Sequence, residues 1–335
     1  MARITDINDL LFPVELHPVF TEFEINGRKI RIEVPNNKIV VNSKSGKPFG
    51  VVSSTYKLIT NHEAIKLGKR CAEELFGSVE ADNIEIFNVD APSTASYCHI
   101  DLVHKNYIMN LWDEEKKSDL YIPYIRITNS YNTLRALRFD IGFCRKICLN
   151  GVVFESETIQ FMFSHVKHEL NRDISFALEQ EKVKALFDKF VSYANSLRKF
   201  QITTDNSMKL ITTLFGIKNE SEIDFKDKKE DRREYDSLNE VIENKLKKYI
   251  KELGETGYSL FNVITDIASH PIDNRYFRRD MNTMQRLAGN WINSFQEEIQ
   301  KPTFNILEYL QLLKESPNKA LHLSSNRYVA TSGEL

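Results

Sequence analysis

Tyr121-Ile122-Pro123-Tyr124-Ile125-Arg126-Ile127-Thr128, then Leu134-Arg135-Ala136-Leu137-Arg138-Phe139-Asp140-Ile141-Gly142-Phe143-Cys144-Arg145, is the stretch on which the fold turns. It reads as two extended segments, Tyr121 to Thr128 and Leu134 to Leu149. Successive side chains of a strand point to opposite faces, so Phe139, Ile141, Phe143, Arg145 and Ile147 share one nominal face. An arginine on an otherwise apolar face needs a carboxylate or a ligand as its partner.

Outward from this centre, strand patterns fill the N-terminal half. Val19 to Ile25 and Arg28 to Val34 flank Asn26-Gly27, a pair that tolerates the positive φ of a tight hairpin turn. Lys38 to Asn42, Gly50 to Ile59, Asn83 to Val89, Ser96 to Val103 and Val152 to Phe163 read as further strands. One early helix interrupts them: Thr60 and Glu63 form a capping-box pattern, Ala64, Leu67, Cys71, Leu75 and Phe76 share a side, and Gly77 closes it. Past Ser164 the period becomes helical. Val183, Leu186, Phe187, Phe190, Ala194 and Leu197 stripe one helix; Met208, Ile211, Leu214 and Phe215 stripe another. Met281, Met284, Leu287, Ala288, Trp291, Ile292, Phe295 and Ile299 stripe a third, closed by Pro302, and a short helix follows at Asn305 to Lys314. Strands followed by helices is the α+β arrangement, with a β-rich antiparallel domain over 1–163 and a helical domain over 164–335. The charged, apolar-poor stretch 219–236 is expected to be a mobile connection.

The chain has 335 residues, 41% apolar and 27% charged, a composition that buries a core and is too apolar for disorder. With 45 basic and 47 acidic residues the formal charge is −2, so a polyanion could be held only by a local patch. Met1 to Pro18 lacks a secretory apolar core and no apolar run is long enough to span a bilayer, so a cytoplasmic protein with no membrane partner is expected. Cys71, Cys98, Cys144 and Cys148 are expected to be reduced.

The local patch exists. Between Tyr121 and Asn150, Arg126, Arg135, Arg138, Arg145 and Lys146 face one acid, Asp140, a balance of +4, with Tyr124 and Tyr131 among the interleaved aromatics. Cations that follow phosphates beside rings that stack on bases suit a single strand. The bland reading of the same residues is a half-exposed strand. Cys144 and Cys148, four apart in an extended segment, stand about 13 Å apart and cannot share a zinc, so no metal site is expected. His165 and His168 could meet on a helix face beside Glu169. No phosphate loop, dinucleotide glycine motif or diagnostic nucleophile accompanies them, so no cofactor is expected. From Thr256 to His270 a helix would align Tyr258, Asn262, Thr265, Asp266 and His270 opposite Leu260, Phe261, Val263, Ile264 and Ile267. That polar stripe, with His165, either binds a ligand or hydrogen-bonds the β-rich half.

Four segments in this order resemble the phage/plasmid-like family catalogued as a domain of unknown function. They are Tyr56 to Ala64; Asn129-Ser130-Tyr131-Asn132-Thr133 with Arg145 to Gly151; Phe161 to His165; and the series Thr256, Tyr258, Asn262, Thr265, Asp266, His270. Where that family often has His-Asp-Gly after Asn-Ser, this chain has Tyr131-Asn132-Thr133. The resemblance implies a mobile-element setting and brings no catalytic residues with it.

The leading expectation is therefore an accessory factor of replication or recombination that binds or anneals single-stranded DNA. Arg126, Arg135, Arg138, Arg145 and Lys146 would touch phosphates, and Tyr124 and Tyr131 would stack. It requires those guanidinium groups to face water rather than internal carboxylates. The alternatives are a module that binds a host protein through an acidic surface such as Glu73 to Asp90, and an enzyme built on His165, His168, Asp266 and His270.

Overall fold

The Asn26-Gly27 pair forms the turn its sequence demands, with φ of +51° and +74°. It joins β2 (Val14–Ile25) to β3 (Arg28–Asn42), and β4 (Pro48–Ser53) adds to β3, giving a three-stranded antiparallel sheet. The computed structural model describes residues 3–76, 83–104, 106–112, 119–146, 151–153, 160–163, 180–225, 229–277 and 280–323. Beyond the reach of β4, β2 and β3 run on as a two-stranded ribbon. Its cross-strand register puts Glu22 opposite Arg31 and Glu24 opposite Lys29 on one face, and Phe23 opposite Ile30 on the other. Phe23, Ile25 and Ile32 are 41%, 49% and 48% exposed, so the ribbon's apolar face is largely uncovered.

The remaining strands are β1 (Arg3–Ile4), β5 (Ile84–Pro92), β6 (Tyr97–His104), β7 (Met109–Asn110), β8 (Leu120–Ser130), β9 (Leu137–Arg145), β10 (Gly151–Val153) and β11 (Gln160–Phe163). The pairs β1–β5, β5–β6, β6–β8, β7–β8, β9–β10 and β9–β11 are all antiparallel. The chain is thus α+β, antiparallel strands and one early helix in its N-terminal half and mostly helices after it. The expected strand Val152 to Phe163 is two strands, both paired to β9.

The chain resolves into two compact units, and the division is not a single cut after residue 163. The first unit takes 1–107, 123–141 and 159–183; the second takes 108–122, 142–158 and 184–335. Strands β8 and β9 contribute residues to both, because a strand's sequence continuity does not oblige all its side chains to join one core.

In the first unit, α1 (Asn61–Phe76) begins with the expected capping box: the Thr60 amide donates to Glu63 Oε2 at 2.8 Å and the Glu63 amide donates to Thr60 Oγ1 at 3.2 Å. It lies against β6 and β5, and Gly68 lets it come so close that a Cβ there would sit 2.4 Å from the Ile127 side chain. Its first residue, Asn61, is a buried junction. The Asn61 amide donates to Tyr131 Oη (2.8 Å), its Nδ2 to the Leu10 carbonyl, and its Oδ1 accepts from Asn129 Nδ2 (2.9 Å) and Cys98 Sγ. Two of the segments noted above, Tyr56 to Ala64 and Asn129 to Thr133, meet here. Burial pushes the Cys98 thiol up to about 12, so it stays protonated at neutral pH. Tyr131 packs against the rings of Phe12 and Phe49.

Two residues beyond Tyr131, Thr133 adopts φ +63°, a region costly for a β-branched side chain and free for glycine. Thr133→Gly is expected to raise stability by about 0.5–1 kcal/mol, the strain relief outweighing the added freedom of the unfolded chain. Urea unfolding midpoints check it; a lower midpoint for the variant would show that Thr133 is not strained.

In the second unit the helices are α2 (Gln180–Lys199, whose first turn falls in the first unit), α3 (Thr204–Leu214), α4 (Glu230–Leu253), α5 (Gly257–Ser269), α6 (Met281–Glu298), α7 (Ile306–Glu315) and α8 (Pro317–Ala320). Side-chain caps start several of them: Thr203 on α3, Thr256 on α5, Asp280 on α6 and Asn305 on α7. The charged stretch 219–236 is not simply a connection, since α4 starts inside it. Its ions are paired, Arg232 with Glu220 and Arg275 with Asp231 and Glu234, which gives a polar segment reason to be ordered. Helix α5 is buried on every side rather than on one, and Trp291 of α6 is fully buried. Among the described residues no helix is long and apolar enough to cross a membrane.

Candidate functional site

Register places the polar residues of the first unit's sheet in rows. Asp90 of β5, His99 of β6 and Thr128 of β8 lie side by side, and in the next row Asn88, Asp101 and Arg126 do the same. Odd-numbered residues of β6 therefore present Tyr97, His99 and Asp101 on one face, while Cys98, Ile100 and Leu102 occupy the other. On the polar face Arg126 makes a bidentate bond to Asp101, Nε to Oδ1 and Nη2 to Oδ2, both at 2.7 Å, and Asn88 Nδ2 donates to Asp101 Oδ2. Arg3 pairs with Asp90, and Arg138 Nε stands 3.0 Å from Asp140 Oδ2. Arg135 differs: its guanidinium lies 4.4 Å from the centroid of the Tyr97 ring, and no carboxylate partners it among the described residues. At the centre His99 is buried, with Nδ1 3.0 Å from Thr128 Oγ1 and Nε2 without a hydrogen-bond partner among the described residues.

This geometry corrects the surface patch. Arg126 is 0% exposed and belongs to Asp101; Arg145 is 5% exposed and belongs to Asp119 and Glu252; Arg138 is 18% exposed and belongs to Asp140. Burial alone would lower the Arg126 pKa, but the adjoining Asp101 carboxylate outweighs it and holds the guanidinium above its ordinary range. Tyr124 is buried 5.5 Å from the Arg126 guanidinium and Tyr131 is buried against Phe12 and Phe49, so neither ring is open to a base. Burying Arg126 and Arg145 unpaired would cost far more than folding yields, which is why carboxylates distant in sequence, Asp101 and Asp119, meet them. Arg135, half-buried and without a carboxylate partner among the described residues, and Lys146, exposed, keep the most open faces toward water, and they belong to different units. Of the acidic stretch, Asp90 is buried on Arg3, and the side chains of residues 74–82 lie outside those described.

The polar stripe of α5 is likewise internal from Tyr258 to Asp266, and only its last member, His270, is exposed. Asn262 Nδ2 donates to the Tyr258 carbonyl and Thr265 Oγ1 to the Phe261 carbonyl, each one turn back in the same helix. Asp266 and His270 do come together: Asp266 accepts from Lys245 Nζ at 2.5 Å and Tyr249 Oη at 2.8 Å, with His270 Nδ1 3.5 Å away. Burial would raise its pKa, but these three partners hold it well below the usual carboxylate range. A carboxylate so fully engaged is an ion-pair anchor between α4 and α5 rather than a base. His165, His168 and Cys148 lie outside the described residues; Cys144 is buried, and its Sγ donates to the Ile122 carbonyl.

His99, Tyr97, Thr128, Asp101 and Arg3 are the members of the site that sequence reading missed. The signal was present in Tyr97-Cys98-His99-Ile100-Asp101-Leu102, a strand whose polar residues all fall on one parity. Burial first, then the charges of Arg126, Arg135, Arg138 and Arg3, drive the His99 pKa well below its ordinary value, so the ring is neutral in the folded protein. In the unfolded chain it takes up a proton near pH 6.5. Stability from this residue is thus complete above about pH 6.5 and is lost as pH falls below it, at up to about 1.4 kcal/mol per pH unit. Between pH 7.5 and 5.5 the wild type should lose about 1 kcal/mol more than His99→Gln in urea unfolding. Parallel losses in the two proteins would mean that the ring is not held neutral.

No curated protein and no solved structure matches the chain. A family model does match, over residues 48–291, and these residues carry β4 through most of α6, including the whole row of Asp90, His99 and Thr128. The chain belongs to the family described as Domain of unknown function (DUF932).

Proposed function

We propose that the chain is a nucleic-acid-binding accessory factor of a mobile element, acting in replication or recombination, which contacts a single strand through Tyr97, Arg135 and Arg138. The observation that carries this reading is the Arg135–Tyr97 stack, a half-buried cation on an aromatic ring with no carboxylate partner among the described residues. A guanidinium resting on a ring keeps its N–H edge free for a phosphate, and the stacked pair offers a flat surface to a base. Arg138 beside it, only partly exposed, can turn part of its fork outward while keeping Asp140.

This site is much smaller than an open five-cation patch, and salt dependence tells them apart. Fluorescence anisotropy of a labelled oligodeoxynucleotide, titrated at several salt concentrations, should give a slope of log K on log salt of about −0.7 to −1.4, for one or two phosphates. Five exposed cations would give about −3.5. Arg135→Gln should remove about 0.7 from the slope, and Tyr97→Leu should weaken binding by about 1–3 kcal/mol. Absence of salt-sensitive binding would end the proposal.

A further inference from the structure

We propose that His99 Nε2 is the inner contact of a seat for one phosphate group, entered past Arg135 and Arg138. The proposal shares with the preceding reading its ligand chemistry, but it does not require the phosphate to belong to a polymer. His99 is 1% exposed, and one ring nitrogen is already engaged by Thr128 Oγ1 while the other has no partner among the described residues. A buried polar atom left so is costly, and native proteins tolerate it chiefly where a ligand or ordered water completes the bond.

Charge separates those two occupants. Arg3, Arg126, Arg135 and Arg138 all act on His99, and Asp90, Asp101 and Asp140 match three of them. The cation left over among the described residues is Arg135, which rests on the Tyr97 ring, whose centroid is also 5.7 Å from the His99 ring. Water would satisfy Nε2 and leave that positive charge uncompensated; a monoanion satisfies both. The neutral imidazole fits an anion when Thr128 donates to Nδ1, because the remaining ring proton then sits on Nε2 and points at the ligand. Arg126 is not a contact, since its fork is taken up by Asp101. Three donors from separate side chains, His99, Arg135 and Arg138, suit the tetrahedral oxygens of phosphate better than the planar pair of a carboxylate.

The test uses the full chain labelled with 15N in histidine and titrated with inorganic phosphate, with acetate at equal ionic strength as the control. The expected result is a saturable shift of the His99 Nε2–H signal with phosphate and none with acetate. His99→Leu should weaken phosphate about tenfold or more, while His99→Gln, which keeps an N–H donor, should retain most of the affinity. A His99 signal unmoved by phosphate, or unchanged phosphate affinity in a folded His99→Leu protein, overturns the seat. If His99→Leu does not fold, Arg135→Gln replaces it, and unchanged affinity there overturns the seat as well. An oligonucleotide arm keeps the two readings apart. Phosphate binding without strand binding removes the accessory-factor reading alone. Strand binding that phosphate does not displace and His99→Leu does not alter removes the seat alone.

Discussion

Asp101→Ala is expected to destabilise the first unit by about 3–5 kcal/mol, a large share of what a domain has to lose. The loss comes less from the bonds removed than from the charge left behind. Arg126 is fully buried, both its Nε and one Nη bond to Asp101, and water cannot reach it to compensate. Replacing the pair together, Asp101→Leu with Arg126→Met, should recover most of the loss, because a buried ion pair gains little over apolar side chains of similar volume. Urea unfolding of the single and double variants checks both statements. A cost below about 1 kcal/mol for Asp101→Ala would mean that the guanidinium reaches solvent, and the open patch would return as a reading.

How far the sequence announces this depends on the distance over which each interaction acts. The Thr60–Glu63 capping box, the Asn26-Gly27 turn and the striped helices from Val183 to Lys314 are local, since residues within a few positions settle them. The helical C-terminal half and the strand-rich N-terminal half were legible for that reason. The two compact units were not, because β8 and β9 divide their residues between them, and nothing in a strand's own sequence marks where one core ends. The partner of Arg126 was not legible either. Asp101 stands directly opposite it only once the register of β6 against β8 is set, and a shift of one residue would turn both to the other face. For Arg145 the sequence went half-way: an arginine on an apolar face requires a carboxylate, and one is there. Its identity, Asp119, is set by chain pairing, with the Lys146 amide bonded to the Leu120 carbonyl. Tyr131 was misjudged because an aromatic next to cations looks the same from sequence whether it stacks on a base or on Phe49. His99 was passed over because a single histidine in a strand carries meaning only with its neighbours on adjacent strands in view.

Asp119→Ala should have an effect of similar size in the second unit, about 3 kcal/mol, and there the contrast with Glu252 is the informative part. Both carboxylates bond Arg145, Asp119 to Nε at 2.7 Å and Glu252 to Nη2 at 2.8 Å, so distance does not rank them. Burial does: the Asp119 side chain is buried, whereas that of Glu252 is 44% exposed. Asp119 also accepts from Tyr258 Oη at 2.6 Å, and Tyr258 bonds Tyr121 Oη at 3.0 Å, so its removal strands a guanidinium and a phenol together. Burial first, then the nearby Tyr121 and the negative charge of Asp119, keeps the Tyr258 pKa well above its usual value, so the phenol remains a donor across the working pH range. Glu252→Gln, at a site that water screens, should cost no more than about 1 kcal/mol. Tyr258→Phe should cost about 2 kcal/mol, and in a double-mutant cycle with Asp119→Ala the two losses should fall short of additivity by about 0.5–3 kcal/mol. Equal losses for Asp119→Ala and Glu252→Gln would contradict this ranking, and additive losses in the cycle would mean that Tyr258 and Asp119 hold the helical unit independently.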